Sequence, residues 1–145
     1  PGIPSFVYDI ELAIKQMKYI LTKDEQKELK AKSKKNKEKI FFSLWKSRDP
    51  TPETEYNELM EEYFQRVAYV NEHFSGWQPG WETDRGMVYI LFGPPDEIQR
   101  TNPSMTNSTL FQIWSYYSIS KQFIFKDQNG FGDYRLDTPL YGIGL

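Results

Sequence analysis

Apolar and polar positions alternate with a helical period over the first half of the chain and with shorter, strand-like runs over the second. Ile10, Ala13, Ile14, Met17 and Leu21 recur at three- and four-residue steps, which predicts a helix over Tyr8 to Leu21 with Asp9 as its N-cap. Thr22 stands three residues before Glu25, the spacing of a capping box that opens a second helix. From Lys23 to Lys39 the apolar residues are Leu29 and Ala31, so the pattern predicts a mostly exposed helical arm. Ile40, Phe41, Leu44 and Trp45 then form a dense apolar end that must be buried. Asp49-Pro50-Thr51-Pro52 stops it, because each proline disfavours helix in the residue before it. A third helix, capped by Thr51 with Pro52 at its first position, carries the clearest apolar face: Tyr56, Leu59, Met60, Tyr63, Phe64, Val67, Val70 and Phe74. Its other face holds Glu55, Glu58, Glu62 and Arg66, and Ser75-Gly76 ends it.

Beyond an irregular loop at Trp77 to Gly80, Met87 to Phe92 is apolar on both faces and predicts a central strand that Pro94-Pro95 terminates. Thr101 to Thr109 is a polar loop and the expected mobile segment. Leu110 to Tyr117 and Gln122 to Lys126 are further strands; Asp127-Gln128-Asn129-Gly130 is a hairpin turn into a fourth, Phe131 to Leu136. The expected fold is α+β, with N-terminal helices packed on a C-terminal antiparallel β-sheet, a meander of about four strands. Residues 1–145 read as a single domain, helical over 1–76 and β over 77–145, with no internal repeat.

An aromatic share of 17 % predicts a core of packed rings. Mean hydropathy is negative and no run reaches the length of a membrane span. With no cysteine, disulfides, thiolate catalysis and cysteine-based zinc sites are excluded. The net charge of −2 is too small to suggest a nucleic-acid partner, but it is unevenly spread. Thr22 to Lys39 carries net +4 and Arg48 to Glu97 net −8. These runs are either two solvated faces that attract each other or, for the first, a docking surface for phosphate or lipid headgroups. A start at Pro1-Gly2-Ile3-Pro4 without Met is expected of a domain excised from a larger protein or of a mature product.

Candidate chemistry centres on Gly80-Trp81-Glu82-Thr83-Asp84-Arg85-Gly86. The two glycines suggest backbone angles or close approaches that a Cβ would forbid; Thr83 and Asp84 can fix a turn, and Trp81 offers an apolar body with one N–H. These residues form either a structural junction or a site. If Asp84 pairs with Arg66 or Arg48, and Arg85 with Glu58 or Glu62, a polar network locks helix to sheet; if the same groups line a cleft, they could grip a polar ligand. A metal site from Glu58, Glu61, Glu62, His73 and Asp84 is disfavoured, since a glutamate pair one turn apart is usually a solvated face and the chain has one His. Asp127 to Gly130 with Asp133 lacks the ligand set of a calcium loop. No phosphate-cradling glycine loop, nucleophile elbow or dinucleotide fingerprint occurs, so no cofactor is expected.

The chain resembles the GWxTD domain family in Gly80, Trp81, Thr83 and Asp84, and around them in Phe42 to Trp45, Arg48-Asp49-Pro50, Asn57-Glu58, Arg66, Tyr89, Gly93, Pro95-Asp96, Trp114 and Phe131-Gly132-Asp133-Tyr134. That resemblance implies an exported bacterial protein of the periplasm or outer envelope, with further domains, and it transfers no catalytic residue. The expected function is a non-catalytic interaction or structural domain, partnered by other domains of its own chain or an envelope protein, with Trp77, Tyr116, Tyr117 or Tyr141 as contact residues. The alternatives are a glycan-binding module, its rings stacking on sugar faces, and a hydrolase or lyase using Asp84 with a third-helix glutamate and Arg85 or Arg66.

Overall fold

The computed structural model describes residues 9–54, 57–101 and 109–137, and the chain divides into two compact units whose boundary falls between Tyr69 and Val70. In the first unit, α1 (Ile10–Gln16) starts at Asp9, whose carboxylate accepts the N–H of Glu11 and Leu12, and ends in a 3-10 turn at Met17–Tyr19. Thr22 and Glu25 form the reciprocal capping box of α2 (Lys23–Lys30). The expected single arm is instead two helices. Ser33 accepts the N–H of Asn36 and opens α3 (Lys34–Ser47), so the chain breaks at Ala31 to Ser33. The arm is mostly exposed, as expected, with Leu29 buried.

The boundary lies inside α4 (Glu58–His73), which begins later than the sequence predicts. Asn57 caps it by accepting the Met60 N–H at 3.0 Å and also donates to the Trp45 carbonyl at 2.8 Å. Thr51 is spent on a turn and on the Glu58 carboxylate, 2.8 Å away. Residues 55–56, including Tyr56 of the expected apolar face, lie outside the described residues. Phe41, Trp45, Tyr63 and Phe64 pack as tilted and edge-to-face rings, and the buried Tyr63 hydroxyl donates to the Gln16 carbonyl at 2.5 Å. Burial raises the Tyr63 pKa, so that proton is held.

The second unit contains the largest departure from the sequence reading. Asp84–Phe92 is a helix, α5, and not a strand. Its cap is Thr83, whose Oγ1 accepts the Gly86 N–H at 3.0 Å, and Gly93, at φ 80°, terminates it. A six-residue apolar run has no period that separates a buried strand from a buried helix, so the caps decide. The first strand is β1 (Glu97–Arg100), followed by β2 (Leu110–Tyr116), β3 (Lys121–Asp127) and the short β4 (Arg135–Leu136). They form one antiparallel sheet in the order β1-β2-β3-β4, with Ile98 opposite Trp114, Trp114 opposite Phe123, and Phe125 opposite Leu136. Val88 packs with Trp114, Tyr116, Phe123 and Phe125 in the core of this unit, flanked by Phe74, Tyr89 and Phe92. The architecture is thus the expected α+β meander, with five α-helices and four strands among the described residues. The polar loop expected to be mobile lies almost entirely outside them.

Candidate functional site

The Gly-Trp turn is held by the end of α4. Asn71 accepts the Trp81 N–H at 2.9 Å, and Ser75 accepts the Gly80 N–H at 2.9 Å while donating to the Asn71 carbonyl. Gly80 runs so close beneath α4 that a Cβ would stand 1.8 Å from the Val70 carbonyl oxygen. Gly86 faces back onto the same turn, where a Cβ would meet the Gly80 oxygen at 1.9 Å. Trp81 is buried. Thr83 closes the turn by donating to the Gly80 carbonyl at 2.7 Å while capping α5. Glu82 is exposed.

Asp84 and Arg85 reach instead to the far end of the sheet. Asp84 accepts the Leu136 N–H at 2.7 Å, a bond that spans 52 residues and ties the first turn of α5 to β4. The Arg85 guanidinium lies 4.7 Å from the Phe74 ring centre and 4.5 Å from that of Tyr134, a two-sided cation–π clamp. Burial holds the Arg85 pKa below the ordinary arginine value, opposed by Tyr134 and Asp127. Adjacent residues thus hold positions 134 and 136 of the same strand entry.

The other sequence candidates bond to residues of the first unit. Arg48 donates to the Leu44 carbonyl at 3.1 Å and pairs with Glu25 at 3.4 Å; Glu58 accepts from Thr51; and Arg66 pairs with Glu62 at 2.7 Å, one turn away on α4. Among the described residues no group of three or more His, Asp or Glu is placed to hold a metal ion.

The feature that sequence reasoning missed is the connection from β3 to β4. The sequence predicts a tight Asn-Gly hairpin with Phe131 starting a strand; the chain instead makes a wide loop over Gln128 to Tyr134. The buried Asp127 carboxylate organises it by accepting the N–H of Gly130 at 3.1 Å and of Gly132 at 2.8 Å, both glycines at positive φ. This pushes Phe131 into solvent, 80 % exposed. Across from it stands Trp77, 95 % exposed, on the loop between α4 and the Gly-Trp turn. The two rings line a cleft of about 480 Å³ together with Lys126, Gln128, Asn129, Asp133, Arg135 and Asp137. A local signal existed, since a ring between two glycines has no regular element to pack it. Of the other expected contact residues, Tyr117 is exposed, Tyr116 is buried, and Tyr141 lies outside the described residues.

Fold and site together define an α+β domain in which a glycine-tryptophan turn braces the two loops that flank an aromatic-edged cleft. The family model of the GWxTD domain matches residues 4–136, and the chain belongs to that family. Neither a curated protein nor a solved structure matches it. No helix among the described residues is long and apolar enough to cross a membrane.

Proposed function

We propose that this chain is a non-catalytic interaction module of an exported bacterial envelope protein, in which the family motif is scaffold and the Trp77–Phe131 cleft is the contact surface. One observation carries the reading: two large rings, 95 % and 80 % exposed, edge a single cleft, while the Trp81 backbone N–H and the Thr83 and Asp84 side chains are engaged in holding the loops that present them. Exposed aromatic residues stabilise association strongly because they remove much apolar area from water at small rotamer cost. The motif serves both sides of the cleft. Gly80 and Trp81 are bonded to Ser75 and Asn71 beside the Trp77 loop, and Asp84 and Arg85 fasten the return of the Phe131 loop. The envelope setting rests on the motif resemblance and is compatible with a chain free of cysteine.

A photo-cross-linking residue at position 131 of the full-length protein, expressed in the bacterium that encodes it, tests the reading. The expected outcome is a light-dependent adduct at 131 and none at an exposed control position, Lys27 on α2. No adduct at 131 or at 77 would overturn it, and recovery of the full-length protein in the cytosolic fraction would overturn the envelope setting.

A further inference from the structure

We infer that the Trp77–Phe131 cleft binds an uncharged oligosaccharide, an assignment that rests on the cleft's being the contact surface. The charges lining it largely cancel. Asp133 holds the Arg135 guanidinium at 3.0 Å, and the Asp127 carboxylate is turned onto the backbone of its own loop. Lys126 and Arg135 stand against Asp127, Asp133 and Asp137, a net charge of −1, so the cleft has no positive field for an anion, and its one unbalanced carboxylate, Asp127, is turned away onto backbone N–H groups. What it offers besides is planar and neutral: the indole and phenyl rings of Trp77 and Phe131 and the side-chain amides of Gln128 and Asn129. Sugar rings match that set. Their C–H faces cover aromatic surface, and their hydroxyls both donate and accept, as amides do.

The same geometry argues against an extended peptide. Strand addition needs an open sheet edge, but β4 is two residues long and its Leu136 N–H is already taken by Asp84. Nor do the lining residues form an apolar socket for a peptide side chain, since most carry charges or amides. The site is also pre-organised. Asp127 fixes the Phe131 loop through Gly130 and Gly132, and the Gly76 N–H donates to the Gln78 carbonyl at 3.0 Å across the Trp77 turn. Fixing the backbone of both loops before ligand arrives lowers the ordering cost of binding.

The protein carries its own reporter. Of its four tryptophans, Trp45, Trp81 and Trp114 are buried, so the fluorescence that acrylamide quenches readily is that of Trp77. We would titrate the purified domain with cellohexaose, chitohexaose, xylohexaose and maltohexaose at millimolar concentration, with heparin as the charged comparison. The expected result is that at least one neutral hexasaccharide shields Trp77 from acrylamide and heparin does not. By calorimetry Trp77→Ala, Phe131→Ala and Gln128→Ala should each weaken that binding about tenfold or more, which is about 1.4 kcal/mol. Binding unaffected by these variants, shielding by heparin alone, or no shielding by any of the four sugars overturns the assignment. The cross-link at position 131 separates the two levels of failure. An adduct that proteases reduce to a peptide, with no saccharide bound, leaves the cleft a contact surface and removes the saccharide; no adduct and no saccharide removes both.

Discussion

At Gly80 a methyl group would land on the Val70 carbonyl oxygen, and at Gly86 on that of Gly80, in each case against backbone that cannot swing aside. Gly76, in the same stretch, has no atom within 4 Å of where its Cβ would stand. The motif glycines are therefore required by close approach of chain to chain, and Gly76 is not. Gly80→Ala and Gly86→Ala are each expected to cost about 3 kcal/mol or more, whereas Gly76→Ala should stay within about 0.5 kcal/mol of the parent. Urea denaturation of the three variants measures this directly. A Gly80→Ala midpoint equal to the parent's would mean that the turn does not pass beneath α4 as described. The neighbouring polar residues are just as specifically used. Replacing Asp84 removes the acceptor of a backbone N–H 52 residues away, so its effect belongs to β4 as much as to α5.

Among the helices, α2 shows most plainly how a short polar segment is held. Its composition is nearly all charged, and an isolated helix of eight residues is marginal in water. Two things stabilise it here: burial of Leu29, and the capping box in which Glu25 accepts the Thr22 N–H at 2.9 Å and Thr22 accepts that of Glu25 at 3.1 Å. The Thr22 amide, and then Arg48, holds the Glu25 carboxyl below its ordinary pKa, against the opposing effect of partial burial. A carboxylate depressed in the folded state stabilises it above its unfolded pKa, about 4.3, and loses that effect as pH falls through the lowered folded value. Thr22→Ala should thus cost about 1 kcal/mol at neutral pH. Glu25→Gln should differ from the parent at neutral pH and converge on it in acid. Denaturation midpoints over a pH series check both, and a Glu25→Gln difference that persisted below the folded pKa would assign the effect to shape instead of charge.

For the molecule as a whole, the aromatic residues divide into those that hold the fold and those that do not. Trp81 is buried and Trp77 is bare, although they stand four positions apart. Trp81→Ala should therefore cost about 3 to 5 kcal/mol as a large-to-small core change. The double change Trp77→Ala, Phe131→Ala should leave the unfolding free energy within about 0.5 kcal/mol of the parent, because neither ring is buried. Thermal and urea unfolding of the two proteins give the comparison. A strongly destabilised double variant would place these rings in the fold and remove them from the contact surface.

What the chain determined by itself is what rests on short offsets. Asp9 and the Thr22-Glu25 box cap helices through bonds two or three residues long; of the expected α4 stripe Met60, Tyr63, Phe64, Val67 and Val70 are buried, whereas Leu59 is exposed; and β2 and β3 follow their apolar runs. The α+β class and the family follow from the same local signals. Tertiary structure decided whatever depends on partners distant in sequence. Met87 to Phe92 is apolar enough for a strand or a buried helix, and α5 forms because Thr83 caps it and Val88 finds Trp114, Phe123 and Phe125 to pack against. Asp84 and Arg85 could each have paired with many charges, and the partners they have, Leu136 and Tyr134, are neighbours only once the sheet is folded. The cleft is the clearest case. No periodicity joins Trp77 to Phe131, since two loops 54 residues apart meet through the turn between them, and that proximity is a property of the closed chain.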